Sequence, residues 1–152
     1  DSYQQFRKEL QNAEKFLLIT DNAGEIVFDR ILAETLQKTY PRLSITFMVR
    51  GGPAHNDATR EDAEAVQILF KVIDSGKAIG GTPLTDISDE AKAAIANADV
   101  ILAKGMGNTE SLYGCGYNVY YAFLVKCDRF IQYFNKPKMT PMFIRDHKYS
   151  AK

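Results

Sequence analysis

Short apolar runs separated by stretches with a helical repeat constrain this chain more than any other feature. Phe16 to Thr20, Ser44 to Val49, Lys71 to Ile73, Asp99 to Ala103, Val119 to Val125 and Met142 to Ile144 are too short for a typical buried helix. Most are apolar with little alternation, as expected of strands covered on both faces. Between them, Ile26, Val27, Ile31, Leu32, Leu36 and Tyr40 recur with a helical period, and Pro41 stops the pattern. A second helix is expected from near Thr59, with Asp57 or Thr59 as its cap and Ala63, Val66, Leu69 and Phe70 facing inward. Ser88-Asp89-Glu90 opens a third through Asn97, a cap followed by acids in the first turn. A fourth runs from about Lys126 to Phe134. Strands alternating with helices predict an α/β fold, a three-layer α/β/α sandwich with a mainly parallel, Rossmann-like sheet. It occupies residues 16–147, after a leading helix within residues 1–15 and before a frayed tail at 148–152.

Length and charge narrow the function. A chain of 152 residues fits one domain, large enough to bury roughly 70% of the surface its unfolded form exposes. Nineteen basic residues balance nineteen acidic ones, so a nucleic-acid partner is disfavoured while a small anionic substrate is not. No apolar stretch reaches the ~18 residues of a membrane span, and the first ten residues show no signal-peptide pattern. A cytoplasmic setting is the expectation, with Cys115 and Cys127 as reduced thiols and no disulfide framework. The only histidines, His55 and His147, lie at a loop and near the tail, which disfavours a cysteine nucleophile. An opening Asp1 in place of Met reads as a processed or partial chain.

Chemistry-bearing residues cluster just past the apolar runs. Asp21-Asn22-Ala23-Gly24-Glu25 follows the first, and Gly24 allows a sharp turn into a helix whose N-terminal N–H groups face what the loop binds. Arg50-Gly51-Gly52-Pro53-Ala54-His55-Asn56-Asp57 follows the second. If these strands are parallel neighbours, Asp21, Asn22 and Asp57 meet at the sheet edge where ligands of open α/β sheets bind. Their oxygen ligands suit a hard divalent cation such as Mg²⁺ or Mn²⁺. Capping of the following helices is the alternative use of the same side chains. A covalent aspartyl-phosphate is disfavoured because Ala23 stands where a second acid is usual. Lys104-Gly105-Met106-Gly107-Asn108-Thr109-Glu110 lacks the Walker spacing, yet its glycines permit close approach to a phosphate, with Lys104 supplying charge and Asn108 a donor. Lys126 ends the next apolar run, within reach of a phosphate or snorkelling to water. Tyr113, Tyr117, Tyr120 and Tyr121 read as core packing before pocket wall.

The blocks Thr20-Asp21-Asn22-Ala23-Gly24-Glu25, Val49-Arg50-Gly51-Gly52-Pro53 with Asn56-Asp57-Ala58-Thr59, Ala103-Lys104-Gly105-Met106-Gly107-Asn108-Thr109-Glu110 and Leu124-Val125-Lys126-Cys127 resemble the metal-dependent damage-control phosphatases, long known as domain of unknown function 89. The resemblance runs over about residues 16–145. It implies an α/β/α metal-binding domain, the C-terminal part of such proteins, with one divalent ion held by Asp21, Asn22 and Asp57. It also implies a substrate-phosphate pocket lined by Lys104, Asn108 and Lys126. Asn56, Gly105, Gly107 and Glu110 belong to the same candidate substrate set. Family members are thought to hydrolyse phosphomonoesters of sugars or of damaged metabolites and cofactors, often with Mn²⁺, Co²⁺ or Ni²⁺. Two departures stand out: family chains usually carry a helical region ahead of this domain, and usually have bulky aliphatic residues in place of Ala54-His55.

The sequence therefore predicts a divalent-metal-dependent phosphomonoesterase acting on a small phosphorylated metabolite, with Asp21, Asp57 and Lys104 in catalytic roles. A phosphate- or nucleotide-binding module without turnover is the alternative. Oligomeric state has no signature in the sequence.

Overall fold

Side-chain alternation along the central strands sorts the apolar residues onto two faces, and the helices divide accordingly. The computed structural model describes residues 1–150. Strands β1 (Lys15–Ile19), β2 (Ser44–Val49), β3 (Lys71–Asp74), β4 (Val100–Lys104), β5 (Val119–Leu124) and β6 (Pro141–Arg145) form one sheet in the order β3-β2-β1-β4-β5-β6. Neighbours are parallel except β5 and β6, which are antiparallel. The sandwich expected from the sequence is what forms, with β6 reversed at one edge.

On one face Phe16, Leu18, Ile45, Phe47, Val100, Leu102 and Tyr120 pack against helices α1 (Ser2–Leu10) and α2 (Ile26–Thr39) through Phe6, Leu10, Ala33 and Leu36. On the other, Leu17, Ile19, Ile101, Ala103, Val119 and Tyr121 meet α4 (Asp89–Asn97), α5 (Met106–Leu112) and α6 (Asp128–Phe134) through Ala91, Ile95, Leu112 and Phe130. Period two in the strands thus serves both layers at once. A smaller cluster of Ile26, Val49, Ala58 and Ala63 seats α3 (Arg60–Ala65).

Local chemistry sets the boundaries. Ser88 accepts a hydrogen bond from the Ala91 N–H to open α4, and Thr59 with Asp62 forms a capping box at α3. Two expectations are corrected. Helix α3 ends at Ala65, Gln67 adopts a positive φ, and Leu69 is 91% exposed in place of facing inward. The segment after Lys104, whose two glycines were expected to admit a phosphate to the backbone, is helix α5, with Gly105 before it at φ +84°. Tyr120 and Tyr121 are fully buried, as core packing requires. Lys148, assigned to a frayed tail, donates its N–H to Asp146, and Arg145 lies over the Tyr149 ring; residues 151 and 152 fall outside the described set.

The leading helix belongs to the core. Glu9 of α1 accepts hydrogen bonds from the Asn118 amide at 2.8 Å, the Tyr120 hydroxyl at 2.9 Å and the Arg145 guanidinium. Burial alone would raise the Glu9 pKa, but these donors, Gln5 and the Arg145 charge together hold it below the usual carboxylate range. A depressed folded-state pKa contributes stability above the unfolded value of about 4.5, and that contribution is lost as pH falls through the folded value. The urea midpoint of the protein should therefore drop on acidification below about pH 4.5, and Glu9→Gln should flatten that part of the profile, as followed by circular dichroism.

Candidate functional site

The strand order reverses between β1 and β4, and the loops leaving these two strands open a crevice at the carboxyl edge. Asp21 and Asn22 leave β1, Lys104 and Gly105 end and follow β4, and the loop after β2 returns to meet them. There the chain adds a short antiparallel bridge between Asn22 and Asp57. Ala23 N–H donates to the Asn56 carbonyl at 2.8 Å, and Ala58 N–H to the Asp21 carbonyl at 2.7 Å. Two loops from parallel strands are thereby zipped together, and Asp21, Asn22 and Asp57 come to one place.

Each of the three is oriented by its neighbours. Gly105 lies against Asp21 so closely that a β-carbon at this position would collide with both carboxylate oxygens, and its positive φ independently favours glycine. The Asn22 amide nitrogen donates to Asp21 at 3.1 Å and to Glu25 at 2.8 Å, which aims the amide oxygen away from those acids. Asp57 accepts from Arg50 Nε at 2.8 Å through one oxygen. Burial, then Glu25 and Asp57, push the Asp21 pKa up to about 6, and Lys104 and Lys126 only partly offset them. This is a carboxylate short of positive charge. Among the described residues no three His, Cys, Asp or Glu side chains converge on one point, so a cation here would have two carboxylates and one amide oxygen as its side-chain ligands. That donor set fits a hard divalent ion that keeps several waters.

An open cleft of about 580 Å³ lies over these groups. Asp21, Asn22, Asn56, Asp57, Gly107, Glu110 and Lys126, all anticipated from sequence, line it, and His55 at φ +53° stands on its rim. Three other anticipated residues sit elsewhere. Asn108 is buried: its amide donates to the Thr20 and Lys104 carbonyls, and its oxygen accepts from Thr82 Oγ1 and Arg50, so its polar groups face protein. Gly105 donates its N–H to the Ala122 carbonyl, which leaves it a steric role. Lys104 points behind the loop, where its ammonium donates to Asp29 at 2.9 Å and Glu25 at 3.1 Å. Burial would lower its pKa, but these two acids outweigh it and hold the ammonium above the ordinary lysine range. Asp29 is buried, and its second carboxylate oxygen has no protein partner.

Two residues not singled out from sequence organise the site. Asp29 lies one helical turn after Glu25, a spacing that puts both acids on one face. Arg50 is almost wholly buried. Besides Asp57 it donates to the Gly81 carbonyl and to Asn108 Oδ1 at 3.3 Å, joining the β2 loop, the 80–82 segment and α5. Its loop position gives no periodic signal of burial.

A family model for the damage-control phosphatase ARMT1-like domain matches residues 1–140. The chain is 42% identical over 134 residues to an uncharacterised protein of Methanocaldococcus jannaschii, covering 87% of this chain and 41% of that one. It is 36% identical over 149 residues to a damage-control phosphatase of Pyrococcus horikoshii, covering 96% and 52%. A damage-control phosphatase of Archaeoglobus fulgidus is 40% identical over 108 residues, covering 69% and 36%. The crystal structure of a DUF89 family protein from Pyrococcus horikoshii superposes with a TM-score of 0.89 at 36% identity, over 96% of this chain and 52% of that one. The chain thus spans about half or less of the length of the curated relatives it matches.

Removing Arg50 would leave the Asp57 carboxylate and the Gly81 carbonyl without their buried partner and take one of two donors from Asn108 Oδ1. Arg50→Ala is expected to cost about 3–5 kcal/mol of folding free energy, measured by urea unfolding.

Proposed function

The chain belongs to the damage-control phosphatase ARMT1-like domain family, and on that premise we propose that its cleft is the centre of a divalent-metal-dependent phosphomonoesterase acting on a small phosphorylated metabolite. The observation that carries this reading is the antiparallel bridge between Asn22 and Asp57, which brings Asp21, Asn22 and Asp57 together under a solvent-open cleft that also holds Lys126. Asp21, Asn22 and Asp57 would hold the ion. A bound Mn²⁺, Co²⁺, Ni²⁺ or Mg²⁺ supplies Lewis acidity toward a phosphoryl oxygen and the attacking water.

The chain's own groups do the remainder. Lys126, on the cleft wall, offsets charge on the phosphoryl oxygens as it transfers. Asn56, Gly107 and Glu110 border the space for the leaving alcohol. Lys104 acts at one remove: its ammonium restrains Glu25, and Glu25 restrains the Asn22 amide, so the lysine sets the ligand oxygen's direction and lowers the negative potential at Asp21. Arg50 fixes one oxygen of Asp57 and leaves the other toward the cleft. Asp21 or Asp57 takes the water's proton.

Metal-stripped protein reloaded with each of the four ions should release phosphate from a panel of sugar and cofactor phosphates. Asp57→Asn should lower that rate at least about a hundredfold while leaving the far-ultraviolet spectrum unchanged. Added metal should also raise the melting temperature of the wild type and not of Asp21→Ala. Full activity in Asp57→Asn would refute the scheme, and a metal-dependent rise in melting temperature without turnover would favour a phosphate-binding module.

A further inference from the structure

Helix α2 turns one charged side chain into the core. Its buried residues are Ile26, Asp29, Ala33 and Leu36, so a carboxylate sits on an otherwise apolar face. An acid in a first helical turn is favourable, but the helix dipole acts on it from the solvent side as well, where it would keep its hydration. Asp29 gives that hydration up. Its Oδ1 accepts from the Lys104 ammonium at 2.9 Å, while its Oδ2, also buried, has no partner among the described residues. A half-satisfied carboxylate in the interior weakens folding relative to a well-packed apolar side chain. Stability therefore does not account for Asp29.

What Asp29 holds leads to the candidate cation site. Lys104 also donates to Glu25 Oε2 at 3.1 Å, and the other oxygen of Glu25 accepts from the Asn22 amide at 2.8 Å. The Asn22 nitrogen donates to Asp21 as well, at 3.1 Å, so its two N–H groups are committed and Oδ1 is left for a cation. Side-chain exposure falls along this chain of contacts, from 43% at Glu25 through 20% at Lys104 to 3% at Asp29. A half-exposed glutamate and the long lysine stem are loose restraints by themselves, since each has many rotamers to lose. Asp29 is a short side chain on a helix packed against the sheet, and it is the fixed end.

We propose that Asp29 is a positioning residue for the cation site: anchored in the core, it fixes Lys104, Lys104 fixes Glu25, and Glu25 sets the direction of Asn22 Oδ1. The inference rests on the metal-site reading above and extends it to a residue that touches neither cation nor substrate.

The test is Mn²⁺ binding to the wild-type and variant proteins, read from the electron paramagnetic resonance of the free ion, in a double-mutant cycle of Asp29 and Asn22. Asp29→Ala should weaken Mn²⁺ binding about tenfold. In an Asn22→Ala background the same substitution should leave the remaining affinity unchanged, because nothing is left for the chain of contacts to aim. Metal-free protein gives a second readout: the Asn22 side-chain amide protons, both held by carboxylates, should resonate apart from those of solvated asparagines, and Asp29→Ala should bring them back among them. Asp29→Asn fills the same volume and covers failure of the alanine variant to fold: it should weaken Mn²⁺ about threefold, again only where Asn22 is present. Wild-type affinity in both Asp29 variants, unchanged Asn22 amide signals, or an equal loss with and without Asn22 would each overturn the positioning role and leave the metal site standing. Absence of Mn²⁺ binding by the wild-type protein would instead remove the metal site, and the role of Asp29 with it.

Discussion

A single buried guanidinium holds the carboxyl edge of this sheet together. Arg50 leaves β2 and turns inward, and its charge would be prohibitive there without Asp57 and the carbonyl oxygens around it. Through Asn108 the same group is connected to the carbonyls of Thr20 and Lys104, the residues at the ends of the two strands that flank the crevice. The positions of Asp21, Asp57 and the 80–82 segment are consequences of one connected polar network. Such a network is rigid only when every member is present, so the site inherits its geometry from residues that never meet the cleft.

Charge is distributed unevenly across the site. Asp57 has a permanent counter-ion in Arg50, whereas Asp21 faces Asp57 and Glu25 and is left with a raised pKa. Lys104 has two acids of its own and so contributes its field in place of a direct contact. The two aspartates are therefore not equivalent: one is oriented by a buried cation, the other by a neutral amide, that of Asn22, in space left by the missing β-carbon at Gly105.

The layers, the strand positions and the residues at their carboxyl ends were legible because apolar runs and caps such as Ser88 act locally. What escaped the sequence was set by tertiary contact. Helix α5 contains Gly107, Asn108, Thr109 and Ser111, weak helix formers that fold as a helix because Asn108 and Leu112 are anchored in the interior. Leu69 faces water because α3 stops a turn early at the positive φ of Gln67. The reversed direction of β6 leaves no trace in composition, since a short apolar run reads the same either way. The cluster of Asp21, Asn22 and Asp57 was visible as three oxygen-bearing residues after two strands. The inward turn of Lys104 was not, because the i to i+4 relation of Glu25 and Asp29 becomes informative only once α2 is seated on the sheet.

The contact between Glu9 and Arg145 joins residues 136 positions apart, while the bridge at Asn22 and Asp57 spans only thirty-five. Closing the larger loop costs more chain entropy, and the Glu9 cluster can be completed only once Tyr120 on β5 and Arg145 on β6 are in place. The apolar side of α1 needs only the neighbouring β1, where Phe6 meets Phe16, while its polar side waits for the distant strand. The bridge at the carboxyl edge is thus the cheaper closure, made between the loops after β1 and β2, and the Glu9 cluster at the opposite end of the sheet is completed only when the far strand arrives.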